Sequence, residues 1–113
     1  MIVHRGEIYY ANLSPFIGCE QGGIRPVVVI QNEVGNRYSH TVIIAPISTK
    51  MTKPPLPTHV VLPDTLLEKR SMVLLEQIRT IDKSRIISKV GHIETDWLKE
   101  KIKKSLTISF GMV

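Results

Sequence analysis

Cysteine is almost absent from this sequence. The chain has 113 residues and a single cysteine, Cys19, so it cannot form an internal disulfide. The common zinc-binding patterns are missing as well, because there is no CxxC pair and no Cys/His cluster with ligand spacing. The sequence therefore predicts no metal site and no cofactor, and it indicates a reducing, cytoplasmic environment.

Long apolar runs are also missing. The longest, such as those at residues 27–30 and 72–75, are far shorter than the roughly 20 residues that a membrane-spanning helix requires. The N-terminal segment "MIVHRGEIYY" lacks the apolar stretch of a secretory signal peptide. We therefore expect a protein that has no membrane partner and is not exported by such a signal.

Size and charge limit the number of domains and the kind of partner. Hydrophobic residues make up 42% of the chain, which is enough for one domain, residues 1–113, to bury a core without disulfides. A chain of this length has no room for a second domain. The net charge of +5 favours a polyanionic or acidic partner, although proteins that bind neither often carry a similar balance.

Short β-type runs separated by turn residues dominate the sequence. The predicted strands are "EIYYANL", "PVVVIQN", "TVIIAPIS", "THVVL", "MVLLEQIRTI" and "RIISKVGHI". We interpret "EVGNRYSH" as a polar connection and "TKMTKPPLP", with its three prolines, as a loop. Several short strands of this kind predict a small, strongly curved sheet or a partly closed barrel, since closure removes exposed edges.

The C-terminal segment has a helical pattern instead. Thr95 is a suitable N-cap, and Leu98, Ile102, Leu106 and Phe110 recur every four residues. This spacing predicts an amphipathic helix whose apolar face packs on the β core.

The segment "EQGGIRPVVVIQN", residues 20–32, places an arginine at the entrance of a buried strand. Its two glycines permit close approach of another group, and Pro26 restrains Arg25 to extended geometry. A guanidinium is a planar fork of donors that matches two phosphate oxygens and keeps its charge. Arg25 is therefore a candidate phosphate clamp, although a surface arginine paired with Glu20 or Glu76 would show the same pattern.

Five segments together are more specific than any one motif. They are "RGEIYYANLSP", "EQGGIRPVVVIQN", "PIST", "LPTHVVL" and "LLEQIRTID". With these segments in this order, the whole chain resembles the MazF/PemK toxins, the endoribonuclease halves of bacterial toxin–antitoxin pairs. The resemblance implies a mainly β fold, an SH3-like (CcdB/PemK-type) small β-barrel with a C-terminal α-helix. It also implies a homodimer and a cognate acidic, MazE-like antitoxin.

The implied activity is metal-independent cleavage of single-stranded RNA, mRNA included, to 2′,3′-cyclic phosphate and 5′-hydroxyl ends. Attack by a ribose 2′-hydroxyl requires stabilisation of a five-coordinate phosphorus and a route for protons. By resemblance Arg25 is catalytic, and charge stabilisation is its expected role because a guanidinium loses a proton very reluctantly.

By resemblance again, Ser48 lies where close relatives carry a catalytic threonine, and the neighbouring Thr49 is a second hydroxyl. We expect Ser48 to act, with Thr49 in support, and the choice between them stays open. Without the resemblance, "PIST" would be interpreted as a strand end whose hydroxyls bond to local backbone.

Five residues are candidate RNA contacts by resemblance: Phe16, Glu20, Gln21, Glu76 and Gln77. The polar side chains could read the edges of unstacked bases, so duplex RNA should be a poor substrate. The aromatic ring could stack on a base, although a core or interface position would suit it equally. We treat Arg79 and Asp82, which follow in the same segment, as a structural pair.

Two other functions fit parts of the sequence. One is a ribonuclease that uses two histidines as acid and base, drawn from His4, His40, His59 and His92. Nothing in the sequence brings such a pair together. The other is a noncatalytic SH3-like toxin or binding module that acts on DNA gyrase or RNA.

Overall fold

The computed structural model describes residues 2–50, 55–64 and 66–112. Within these residues the chain forms a mainly β structure with a C-terminal helix. The elements are β1 (Glu7–Asn12), β2 (Ile24–Val29), α1 (Glu33–Tyr38), β3 (Thr41–Ser48), β4 (His59–Val61), β5 (Met72–Leu74), β6 (Arg79–Asp82), a 3₁₀ turn (Lys83–Arg85), β7 (Ile86–His92) and α2 (Asp96–Ser109).

β3 is the centre of the sheet. The strand order is β4-β5-β3-β2-β1-β7, and β6 also pairs with β3. The first half of β3 pairs with β6 and its last two residues pair with β5, so two antiparallel layers share this one strand. Seven antiparallel strands in one sheet, followed by a C-terminal helix, confirm the mainly β fold expected from the sequence.

The apolar strand β2 is buried on both faces of the sheet. Val28 belongs to a core cluster that includes Leu98 and Ile102 of α2, whereas Val27 and Val29 belong to a second cluster on the opposite face. Successive side chains of a strand point to opposite faces, so a run of branched apolar residues can fill both clusters. This burial on both faces fixes β2 and, with it, the residues at its N-terminal end.

The C-terminal helix begins where the sequence predicts. The hydroxyl of Thr95 accepts a hydrogen bond from the backbone N–H of Leu98 at 3.4 Å, which caps the first turn. Leu98 and Ile102 are buried and Leu106 packs against the same cluster. The prediction for Phe110 is wrong, because this residue follows the helix and its side chain is 53% exposed.

The segment predicted as a polar connection contains α1. Its N-cap is Asn32, whose side-chain oxygen accepts a hydrogen bond from the Gly35 N–H at 2.8 Å. The Asn36 side chain is buried and donates to the carbonyl of Gln31 at 2.9 Å. One short polar turn of helix is thus stabilised by capping and one buried amide, and it lacks the apolar periodicity that would have predicted it.

The segment "MVLLEQIRTI" is not one strand. It forms β5 and β6, and a turn between them is closed by a hydrogen bond from the Gln77 N–H to the Leu74 carbonyl at 3.2 Å. Both strands pair with the same edge of β3, so the chain must turn between them. Of the predicted proline-rich loop, residues 51–54 lie outside the described residues. No helix in the described part is long and apolar enough to cross a membrane.

Candidate active site

Arg25 lies near the N-terminal end of β2, opposite Ala11 of β1, and is half-buried. Its Nε–H donates to the carbonyl of Gly22 at 2.8 Å, and its Nη1 donates to the side-chain oxygen of Gln21. Burial lowers the pKa of the Arg25 guanidinium by desolvation. Among the described residues no carboxylate forms a salt bridge with this group, so its positive charge is available to an anion.

The two glycines before Arg25 stand where a side chain would not fit or would be strained. Gly23 has a φ of +70°, a conformation that glycine adopts without strain. A Cβ atom on Gly22 would lie 1.8 Å from Cδ1 of Phe16, so only glycine allows this aromatic ring to approach. Phe16 is nevertheless 51% exposed, which leaves part of its ring available for a base to stack on.

Four of the five candidate RNA contacts line one pocket of about 330 Å³. The loop before β2 supplies Glu20 and Gln21, and the turn between β5 and β6 supplies Glu76 and Gln77. The backbone N–H of Gln21 donates to the side-chain oxygen of Gln77 at 2.9 Å, so the two segments are directly joined. Amide and carboxylate groups in such a pocket can donate to and accept from the edges of an unstacked base.

Both carboxylates of this pocket are held by neighbouring groups. One oxygen of Glu20 accepts from the backbone N–H of Ile17 at 2.6 Å. Oε2 of Glu76 lies 2.7 Å from Nε2 of His59, and its other oxygen accepts from the hydroxyl of Thr58 at 3.3 Å. Fixed carboxylates can select a donor on a base edge without first losing side-chain freedom.

Ser48 is the last residue of β3. In the β2–β3 ladder Val27 pairs with Pro46, and two residues further along the two strands are Arg25 and Ser48. The same register would align this pair on one face of the sheet. Ser48 is only 4% exposed, and its oxygen accepts from the Lys50 N–H at 3.1 Å.

Thr49 is exposed and lines a different cavity, of about 840 Å³, together with Tyr10 and Pro26. Tyr10 and Pro26 are partners across the β1–β2 ladder, next to the Ala11 and Arg25 pair. Because neighbouring positions alternate between faces, this arrangement places Thr49 on the side of the sheet away from Arg25.

Residues 4–110 match the family described as PemK-like, MazF-like toxin of type II toxin-antitoxin system. The chain belongs to this toxin family. It is similar to "Endoribonuclease EndoA" of Bacillus subtilis (strain 168), with 49% identity over 115 residues, covering 100% of this chain and 98% of that protein.

A second curated relative is "Endoribonuclease MazF" of Staphylococcus saprophyticus, which is 47% identical over 113 residues, covering 98% of this chain and 93% of the relative. Among solved structures, a crystal structure of MazF from Deinococcus radiodurans superposes with a TM-score of 0.84 at 26% identity. That superposition covers 99% of each chain. The PemK/MazF fold expected from the sequence is confirmed.

Three of the four histidines of this toxin-family chain lie beside glutamates. The distances between ring nitrogen and carboxylate oxygen are 3.1 Å for His4 and Glu33, 2.7 Å for His59 and Glu76, and 3.8 Å for His92 and Glu94. In the described ranges no hydrogen bond joins two histidines, so this arrangement gives the acid–base histidine pair no support. The described residues also contain no group of three or more His, Cys, Asp or Glu side chains placed to hold a metal ion.

Two arginines that sequence reasoning did not place in the site hold the loop before β2. Arg79 donates to the carbonyl of Leu13 at 3.0 Å, and Arg85 donates to the carbonyls of Asn12, at 3.1 Å, and Ser14. The expected pairing of Arg79 with Asp82 is wrong, because Asp82 instead caps the 3₁₀ turn. Backbone carbonyls far along the chain leave no trace in a sequence, so no signal could have predicted these partners.

Proposed function

We propose that this chain is a sequence-specific, metal-independent endoribonuclease that cleaves single-stranded RNA, including mRNA, in the cytoplasm. The endoribonuclease class follows from the family match over residues 4–110 and from two relatives, 49% and 47% identical, that are named endoribonucleases. The observation that supports the site best is Arg25, whose charge no described carboxylate neutralises, beside a pocket of base-reading side chains.

In the proposed reaction the 2′-oxygen of a ribose attacks the adjacent phosphorus. A bond from that oxygen to phosphorus forms, the bond from phosphorus to the 5′-oxygen breaks, and a proton passes overall from the 2′-oxygen to the 5′-oxygen. The products are a 2′,3′-cyclic phosphate and a 5′-hydroxyl. Negative charge grows on the phosphoryl oxygens during the attack, so a fixed cation beside them lowers the barrier.

Arg25 supplies that cation. A guanidinium has five N–H donors, and the described loop uses two of them, which leaves three for phosphate oxygens. We assign Ser48 as the catalytic hydroxyl. We propose Thr49, which lies on the other side of the sheet from Arg25, only as a supporting residue that does not contact the phosphate. Because the Ser48 oxygen already accepts from the Lys50 N–H, its own proton is left to donate to the phosphate.

RNA recognition is assigned to the pocket and to the adjacent ring. Glu20, Gln21, Glu76 and Gln77 read base edges, and Phe16 stacks on a base. Such contacts need bases that are splayed out of a helix, so the enzyme should act on single-stranded regions. A noncatalytic module acting on gyrase would need none of these features.

The test is to map the ends that the purified protein produces from a long RNA in EDTA. We expect cuts at one short sequence, with 5′-hydroxyl ends that a ligase requiring a 5′-phosphate joins only after phosphorylation. Four variants, each with one histidine changed to alanine, should remain largely active. The absence of cleavage, or cleavage that requires added metal, would contradict the proposal.

We also propose that the active form is a symmetric homodimer, since an isologous interface is the commonest route to assembly. Sedimentation equilibrium tests this directly. A stable monomer with full activity would remove this part of the proposal.

An acidic, mostly disordered segment of a MazE-like antitoxin is proposed to inhibit the enzyme by lying in the RNA path over Arg25. The net charge of +5 and the site for a flexible polyanion support this view. The peptide should compete with uncleavable RNA, and added salt should weaken its binding. Simultaneous binding without mutual effect on affinity would show that inhibition is indirect.

A further inference from the structure

Three residues form a connection from the pocket to the proposed catalytic arginine, through the backbone N–H and the side chain of Gln21. The side-chain oxygen of Gln77 accepts from the backbone N–H of Gln21 at 2.9 Å. The side-chain oxygen of Gln21 in turn accepts from Nη1 of Arg25. All three residues are half-buried, so these bonds are partly shielded from competition with water.

Two hydrogen bonds hold the guanidinium of Arg25. Nε of Arg25 is bonded to the Gly22 carbonyl at 2.8 Å, and Nη1 is bonded to Gln21. Two bonds from different nitrogens fix the plane of a planar group, whereas one bond would leave it free to rotate. Both acceptors belong to adjacent residues of one loop, and Gln77 holds that loop from the neighbouring turn.

We propose that Gln77 is a positioning residue that acts through Gln21 to set the plane of the Arg25 guanidinium, and so couples the base-reading pocket to the cleavage step. This inference rests on the function proposed above. Preorganised donors stabilise a transition state without reorganising during the reaction, so loss of the connection lowers the rate of the chemical step.

The same geometry constrains the base that Gln77 reads. The Gln21 N–H engages one of the two lone pairs of the Gln77 amide oxygen, whereas the amino group of Gln77 offers two donors to RNA. The geometry therefore favours a base that presents an acceptor to Gln77. A base that presents a donor would compete with the Gln21 N–H for the amide oxygen.

Gln21 and Gln77 could act as independent RNA contacts or could together position Arg25, and these two roles predict different kinetics. If Gln21 and Gln77 only contact RNA, their alanine variants should raise KM and their effects should add. If they act in series on Arg25, each variant lowers the single-turnover rate at saturating RNA, and the double variant is no worse than the worse single one. Gln21→Ala keeps its backbone N–H, so the two substitutions remove different members of the chain.

The experiment measures single-turnover cleavage in EDTA at saturating RNA. We expect Gln21→Ala, which removes a bond to the charged guanidinium, to lose about tenfold or more in rate, and Gln77→Ala, which removes a bond between neutral groups, to lose about threefold to tenfold. The double variant should be no slower than Gln21→Ala. Gln77→Glu keeps an acceptor for the Gln21 N–H and should retain most of the rate while losing affinity for the preferred base. Ile17→Ala, at an 82% exposed position of the same loop, is the matched control. Multiplied losses in the double variant would overturn the proposal, as would a Gln77→Glu rate as low as that of Gln77→Ala.

A second measurement does not depend on cleavage. In the free protein, the NMR signal of the Arg25 Nε–H should shift and exchange faster with water in Gln77→Ala, as in Gln21→Ala. An Arg25 signal unchanged by Gln77→Ala would overturn the positioning role. If wild-type protein fails to cleave RNA while the NMR coupling is present, the proposed function is at fault and the inferred contact chain is not.

Discussion

The guanidinium of Arg79 donates to the backbone carbonyl of Leu13 at 3.0 Å, although the two residues are 66 positions apart in the chain. This bond ties the start of β6 to the segment that follows β1. Arg85 bonds to the carbonyls on either side, those of Asn12 and Ser14. Two arginines thus hold three consecutive carbonyls at the base of the loop that leads to Arg25.

Replacing Arg79 should weaken the fold measurably. We expect Arg79→Ala to lower the free energy of unfolding by about 1–3 kcal/mol, because a half-buried bond from a charged donor is lost. Urea denaturation followed by circular dichroism measures this change. Arg70→Ala, at an exposed arginine that makes no side-chain hydrogen bond or ion pair with the described residues, is the control and should change stability by less than about 0.5 kcal/mol. Equal losses in the two variants would show that the Leu13 contact contributes little.

Acid should weaken the attachment of the N-terminal segment through Glu33. Its carboxylate accepts from the Asn36 side chain at 2.8 Å and from the Arg5 backbone N–H at 2.9 Å, with His4 at 3.1 Å. The hydrogen bond from Asn36 is the largest cause that lowers the pKa of Glu33 to about 2, from an ordinary value of 4.5. The unfolded chain therefore takes up this proton first as the pH falls.

The stabilisation by Glu33 is thus fully present above pH 4.5 and is lost as the pH falls from there to about 2. We expect Glu33→Gln to be less stable than wild type at pH 6, by less than about 1 kcal/mol because the group is exposed and screened. Urea unfolding at pH 2.5 should show a smaller difference. A difference of the same size at both pH values would exclude this linkage.

Ser48 and Thr49 can be separated by substitution. Ser48→Ala should lower the cleavage rate more than Thr49→Ala, since the strand register would align Ser48 with Arg25 whereas Thr49 lies with Tyr10 and Pro26 on the other side. Rates at saturating RNA, with circular dichroism to verify folding, decide the matter. A larger defect in Thr49→Ala would transfer the catalytic role to that hydroxyl.

Much of the fold was predictable because its signals are local. Alternation and β-branched runs predicted β1, β2 and β3, and the Thr95 cap with apolar residues at spacing four predicted α2. The missed features depend on tertiary context. α1 is stabilised by the buried amide of Asn36, and the turn that splits β5 from β6 carries neither glycine nor proline.

In the candidate site, too, the sequence did not predict the features that depend on tertiary contacts. Resemblance supplied Glu20, Gln21, Glu76 and Gln77 as separate RNA contacts, and the structure brings all four to one pocket. The sequence left a carboxylate partner for Arg25 as an alternative, whereas the observed partners are an amide oxygen and a backbone carbonyl. Such partners depend on loop conformation, which residue types alone do not specify.

The most direct test of the account compares wild-type protein with Arg25→Ala and Arg25→Lys on one single-stranded RNA in EDTA. We predict specific cleavage by the wild type and a rate at least about a hundredfold lower for Arg25→Ala, since losing one transition-state contact commonly costs about 3–4 kcal/mol. Arg25→Lys should recover little, because an ammonium cannot reproduce the planar fork. Near wild-type cleavage by a folded Arg25→Ala variant would contradict the account.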